Sequence, residues 1–185
     1  MEEIFKILLL ILVANGAPML ISYLFSHRMS LPVDFGLRLK DQQPLFGVTK
    51  TWRGIIASIA ATVAVSYLLY HEVAIGLFIA LLAMCGDLFS SFIKRRLKKS
   101  SGSQMFLLDQ LPESTFPALL LLYLHHIDLM QVISIVTGFI ILELLLSILL
   151  FRVGIRKHPY QKSNLKRGEP LNSKWRSGQI HGIIK

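Results

Sequence analysis

The sequence predicts an all-α, polytopic membrane protein with about five transmembrane helices. Three observations predict it. Apolar runs near the length of a bilayer core alternate with short polar turns and basic loops, charge is too sparse for a soluble domain, and the basic residues fall almost entirely on one side of the runs.

Of 185 residues, 53% are hydrophobic and 17% charged, with mean hydropathy +0.56. A soluble domain of this size carries about 25% charged residues. The net charge of +9 coexists with that apolarity, so the basic residues gather in patches, as in a protein facing anionic headgroups or phosphates. Nucleic-acid binding would explain the charge but not the apolar runs, and no nucleic-acid partner is expected. The single cysteine, Cys85, excludes an intrachain disulfide.

The first run covers 4–25. Glu2 and Glu3 stand where a secretory signal needs basic residues, and the run outlasts a signal's apolar region, which predicts a retained helix. Asn15-Gly16-Ala17-Pro18 interrupts it. Pro18 has no N–H for the carbonyl near position 14, and Asn15 adds polar groups at that depth. A kinked helix opening a polar cavity and simple packing through Gly16 and Ala17 both fit. The second and third runs, 55–70 and 73–92, are joined by a tight His71-Glu72 turn. The fourth, 111–124, is short and carries Pro112 and Pro117; His125, His126 and Asp128 separate it from the fifth, 132–151.

Every lysine and arginine except Lys6 lies in the first loop, in the loop after the third run, or in the tail. Five alternating spans put those three segments on one side. The positive-inside rule then predicts an outside N-terminus, cytoplasmic loops and a cytoplasmic C-terminus in the cell membrane. Residues 156–185 read as a basic cytoplasmic tail, in which Trp175 fits either a solvated position or an interfacial anchor.

The polar residues inside the runs carry the chemistry. Asp87 lies about 10 Å below the end of its helix at 1.5 Å per residue, and Asp87, Ser91, Lys94 and Arg95 share one arc. An internal ion pair seven residues apart is one reading; a site open to the loops is the other. After the small-residue loop Ser100-Ser101-Gly102-Ser103, Asp109 brings a second carboxylate back to the membrane surface. Alone it reads as a helix cap. With Asp87 and the basic cluster it suits Mg²⁺, which characteristically takes one or two carboxylates plus substrate phosphates. At the head of the second run, Gly47-Val48-Thr49-Lys50-Thr51-Trp52-Arg53-Gly54 offers phosphate donors at a helix N-terminus, although the spacing is not that of a Walker loop. The same segment also reads as a basic membrane flank. Glu143, at a depth like that of Asp87, has no assigned role.

Taken in order, Ala14-Asn15 with Pro18, Pro32-Val33-Asp34-Phe35-Gly36, Phe46-Gly47 with Lys50-Thr51-Trp52-Arg53-Gly54, Gly86-Asp87-Leu88 with Ser91-Phe92-Ile93-Lys94-Arg95-Arg96, and Leu108-Asp109-Gln110-Leu111 resemble the CDP-archaeol synthase family. The Ser-x-x-Lys-Arg pattern with a downstream Asp also resembles the wider CDP-diacylglycerol synthase superfamily. The resemblance implies a Mg²⁺-dependent CTP:phospholipid cytidylyltransferase in a membrane-embedded domain over 1–155. Asp87 and Asp109 would hold the metal, and Asp87, Lys94 and Asp109 would be catalytic. Asn15, Lys50, Thr51, Arg53, Ser91 and Arg95 would bind CTP or lipid phosphate. One departure stands out: the family's Asp-Gln-Leu-Asp becomes Asp109-Gln110-Leu111-Pro112, with Glu113 next. An archaetidic-acid-like and a phosphatidate-like substrate both remain open, as does a homodimer. The rival readings are a lipid kinase-like enzyme using the same groups, and a small transporter or scaffold in which Asp87 and Glu143 serve an ion path.

Overall fold

The computed structural model describes residues 1–25, 30–103 and 105–152; Arg28, the 156–185 tail and Trp175 lie outside the described residues. Five helices follow in order: α1 (Glu2–Phe25), α2 (Trp52–Tyr70), α3 (Val73–Arg96), α4 (Gln110–Tyr123) and α5 (Leu129–Arg152). Among the described residues there are no strands, only the isolated bridges Pro32↔Thr51 and Arg38↔Pro44 in the first loop.

α1, α2, α3 and α5 are long and apolar enough to cross a membrane. The expected fourth span falls short: α4 has 14 residues, about 21 Å of helix against a core of about 30 Å. Its first turn is polar, and Gln110, Glu113 and Ser114 are buried within the protein rather than turned to lipid. α4 packs between α3 and α5, which is where a short helix with a polar start is shielded from hydrocarbon.

The second run begins three residues earlier than expected because Thr51 caps it: the Thr51 hydroxyl accepts the Gly54 N–H at 3.2 Å. His71, at φ 54°, ends α2 with its N–H on the Tyr67 carbonyl. α3 extends through Lys94, Arg95 and Arg96, cations in the last turn where the helix dipole favours them.

Close helix packing rests on small residues. The buried face of α2 is Gly54, Ser58, Thr62 and Ser66, one per turn. Ser58 Oγ donates to the Ala14 carbonyl at 2.7 Å. That carbonyl is the one Pro18 deprives of its helical partner. The interruption in the first run therefore binds α1 to α2, and α1 continues unbroken through Pro18.

The apolar core joins Ile7, Leu10 and Ile11 of α1 to Ile79 of α3, Leu121 of α4, and Val132, Ile135 and Phe139 of α5. These positions lie in the first halves of α1, α3 and α5 and at the end of α4. The core thus fills the end of the bundle away from the basic loops. The other end is left to polar residues.

The first loop is itself folded. Val33 N–H donates to the Lys50 carbonyl at 2.8 Å and Trp52 N–H to the Leu31 carbonyl at 3.1 Å, closing its base. The buried Asp34 carboxylate accepts N–H groups from Gly36 (3.0 Å), Phe46 and Gly47 (2.9 Å each). Arg96 clamps the loop from outside, with both Asp41 oxygens at 2.9 Å and the Pro44 carbonyl at 2.6 Å.

Candidate active site

Lys50 leaves the folded loop and places Nζ 2.5 and 2.6 Å from the two oxygens of Asp87 on α3. The loop's closure sets that geometry, since the Lys50 carbonyl is held by Val33 and its N–H by Gly47 at 3.1 Å. Gly47, at φ 98°, sits where a Cβ would come within 2.6 Å of Ser101 Oγ, so the two basic loops meet closely there. Thr49 and Ser101 hydroxyls are 3.3 Å apart at the same junction.

Lys94 does not pair with Asp87 along the helix. Its Nζ lies 2.7 Å from Asp109 Oδ1, an ion-pair contact without hydrogen-bond alignment, and donates to the Ser103 carbonyl at 3.1 Å. The loop after α3 turns tightly enough to bring Asp109 back over the last turn, and it offers the nearer anion. Asp109 precedes α4 but makes no side-chain cap; its Oδ2 accepts the Met105 N–H at 3.1 Å. Arg95 donates to the Ser100 carbonyl at 2.9 Å, while its buried Nε has no hydrogen-bond partner.

These groups face a cavity of about 430 Å³ that Asn15, Lys50, Asp87, Ser91, Lys94, Arg95 and Asp109 all line. Asn15 Nδ2 is directed to the Ile11 carbonyl at 3.0 Å. Thr51 and Arg53 do not reach this cavity. They line a second one of about 410 Å³, which shares Lys50, Asp87 and Pro18 with the first. The Thr51 oxygen is engaged as the α2 cap, a local role that the phosphate-donor reading of its segment had not assigned.

Sequence reasoning left Glu113 and Glu143 without a role, and both line the larger cavity. Glu113 on α4 lies near enough to Asp87 on α3 and to Glu143 on α5 for their charges to act on it. The proximity of Glu113 to Asp87 follows from Gly86: a Cβ there would lie 2.5 Å from the Pro112 carbonyl carbon and 2.7 Å from the Glu113 nitrogen. Only a glycine lets α3 and α4 backbones approach so closely. Asp34 was noted only as part of a motif; its Asp-x-Gly turn is the signal for the carboxylate that fixes the loop.

Burial opposes the charge on Lys50, but Asp87, then Glu113 and Asp109, outweigh it and hold its pKa above the ordinary lysine value. Burial likewise raises the Asp34 carboxyl, and the N–H donors of Gly47, Phe46 and Gly36 outweigh it, so the carboxyl stays below the usual range.

Among the described residues, no cluster of three or more His, Cys, Asp or Glu side chains forms a self-sufficient metal site. Asp87 and Asp109 nevertheless present hard oxygen donors to one cavity, each neutralised by a lysine. That set fits a Mg²⁺ whose remaining ligands come from substrate phosphates, with the lysines yielding the oxygens they hold.

Known proteins resemble this chain in sequence and in fold. The CarS-like family model, described as CDP-archaeol synthase, matches residues 1–160. A CDP-archaeol synthase of Hyperthermus butylicus is 41% identical over 109 residues, 54% of this chain and 60% of that protein. One of Staphylothermus marinus is 33% identical over 129 residues, 66% of this chain and 68% of that protein. One of Pyrobaculum calidifontis is 31% identical over 171 residues, 86% of this chain and 100% of that protein. A solved structure described as an intramembrane enzyme for archaeal membrane lipid biosynthesis is similar at TM-score 0.66 and 28% identity, covering 77% of this chain and 91% of that one. With the family match running from α1 through α5 and the expected site residues divided between two adjoining cavities, this chain belongs to the CarS-like, CDP-archaeol synthase family.

Proposed function

We propose that the chain is a CTP-dependent cytidylyltransferase that converts a lipid phosphate of the archaetidic-acid type to a CDP-lipid with release of pyrophosphate. The observation that carries this reading is the convergence of Lys50, Lys94, Arg95, Asp87 and Asp109 on one cavity at the loop end of a membrane bundle. Two polyanions repel each other, and buried cations between them offset that repulsion. The basic loops face the cytoplasm, on the positive-inside rule, where CTP is available.

CTP lies in the larger cavity, its phosphates against Lys94 and Arg95. The lipid phosphate occupies the second cavity, beside Thr51 and Arg53. Lys50 stands at the boundary of both cavities and neutralises charge from either side. A lipid phosphate oxygen attacks the α-phosphorus; a new P–O bond forms, the α–β bridging bond breaks, and its electron pair leaves on pyrophosphate. Asp87 and Asp109 would hold Mg²⁺, which would supply further charge neutralisation on the phosphate oxygens. Ser91 and Asn15 line the polar wall. Catalysis is positioning and electrostatics, with no covalent enzyme intermediate.

The test is product analysis with purified protein, CTP and a panel of archaetidic acid and phosphatidate, with and without Mg²⁺ after chelation. CDP-lipid that forms only with restored metal supports the whole reading. Equal product in chelator removes the metal from it, and no CDP-lipid from any lipid phosphate overturns the transferase assignment.

A further inference from the structure

The first loop carries an apolar surface that neither the bundle nor the proposed chemistry uses. Leu31, Phe35, Leu37 and Leu39 are 41 to 66% exposed, outside every helix. Trp52 is exposed beside them, its ring centroid 6.5 Å from that of Phe35. In water such a patch would be a liability.

The surface is built rather than incidental. Phe35 is held at φ 49°, a left-handed backbone that a bulky residue adopts only when its surroundings impose it. The imposing group is Asp34, whose buried carboxylate ties Gly36 to Phe46 and Gly47. Leu37 and Leu39 lie two residues apart on a short hairpin, where Leu45 N–H donates to the Leu37 carbonyl at 2.9 Å and Leu39 N–H to the Gln43 carbonyl at 3.0 Å. Both leucines are exposed, on either side of the bridged Arg38 and with Lys40 after.

Two features identify the occupant. Asp41 is neutralised by Arg96, so the charges this tip presents are the cations Arg38 and Lys40, complementary to anionic headgroups. The apolar surface is also continuous with the lipid-facing side of α2: Trp52 opens that helix, and the exposed Ile56 lies one turn further along the same face. Tryptophan at the head of a spanning helix belongs at the membrane interface.

We infer that residues 31–39 with Trp52 form an interfacial docking element, seated in the headgroup–acyl boundary of the bilayer that the helices cross, on anionic lipid. The loop continues from there into Thr49, Lys50 and Thr51, which line the second cavity. Seating the loop therefore fixes the mouth of that cavity at the level of lipid headgroups.

The test does not depend on catalysis, so it fails or succeeds separately from the transferase assignment. A bimane label is placed at Leu37→Cys in a Cys85→Ser background, with the full chain in anionic nanodiscs. Quenching is read with acyl-chain doxyl lipid and with aqueous acrylamide. The inference predicts about twofold or greater quenching by doxyl lipid and little by acrylamide, as for a side chain buried at the acyl boundary. Strong acrylamide quenching without lipid quenching would overturn it. So would shielding from both quenchers, in which case disulfide crosslinking of the same Cys between copies would identify a second chain as the occupant.

Discussion

One ammonium closes both oxygens of a carboxylate that stands 37 residues away in sequence: Lys50 Nζ lies 2.5 and 2.6 Å from Asp87 Oδ1 and Oδ2. This pair joins the first loop to α3 and lies on the boundary of both cavities.

Removing Lys50 alone leaves the carboxylate without its cation. Breaking a fully buried pair costs about 3–5 kcal/mol, and with side chains 23% and 19% exposed the expected cost lies below that range. Lys50→Met is predicted to lower the unfolding temperature in detergent, and Lys50→Met/Asp87→Asn to restore most of it. Neither variant regains CDP-lipid synthesis, which separates the pair's structural part from its chemical one.

Asp34 predicts a pH dependence. Its folded pKa lies below the ordinary value, so it contributes stability above the unfolded pKa of about 3.9 and loses it as pH falls through the lower folded value. Asp34→Asn removes the charge and turns an NH2 toward at least one of the three N–H donors, and is expected to cost about 1.5–3 kcal/mol at neutral pH. Thermal unfolding of both proteins at neutral and acidic pH should show the gap narrowing on acidification. Lys50 has the opposite sign: its pKa is raised, so its contribution is complete below the ordinary lysine value and is lost only as pH rises through the folded one.

Ser58 repairs the carbonyl that Pro18 orphans. Ser58→Ala is predicted to destabilise by about 0.6–1.7 kcal/mol, the range for interhelical hydrogen bonds in bilayers. Unfolding in mixed micelles measures it, and activity per folded molecule should persist.

Gly86 lets α3 meet α4 backbone to backbone. Gly86→Ala forces the helices apart beside Asp87 and Glu113. Overpacking of this kind costs about 1–3 kcal/mol, and CTP affinity by calorimetry should fall with it, because both carboxyls line the larger cavity.

The fold was legible in the sequence because bilayer thickness, cation segregation and the missing N–H of Pro18 are local signals. The fourth helix was less so: Pro112 and Pro117 marked it as short, but only packing between α3 and α5 reveals that its polar first turn is buried. Periodicity placed Asp87 and Lys94 on one arc of α3, yet it could not choose their partners. Those are Lys50 and Asp109, delivered by loops whose closure depends on Asp34 and a tight turn. Glu113 stayed unassigned for the same reason, since its place beside Asp87 follows from the backbone approach at Gly86.

The most direct measurement follows the two ends of the triphosphate separately. Wild type and Asp87→Asn are incubated with an archaetidic acid and CTP labelled at either the α- or the γ-phosphate. The account predicts α-label in the lipid, γ-label in pyrophosphate, and loss of about 10²-fold or more in the variant, as for removal of one preorganised electrostatic group. Transfer of the γ-label to the lipid, or α-label transfer undiminished in Asp87→Asn, would contradict it.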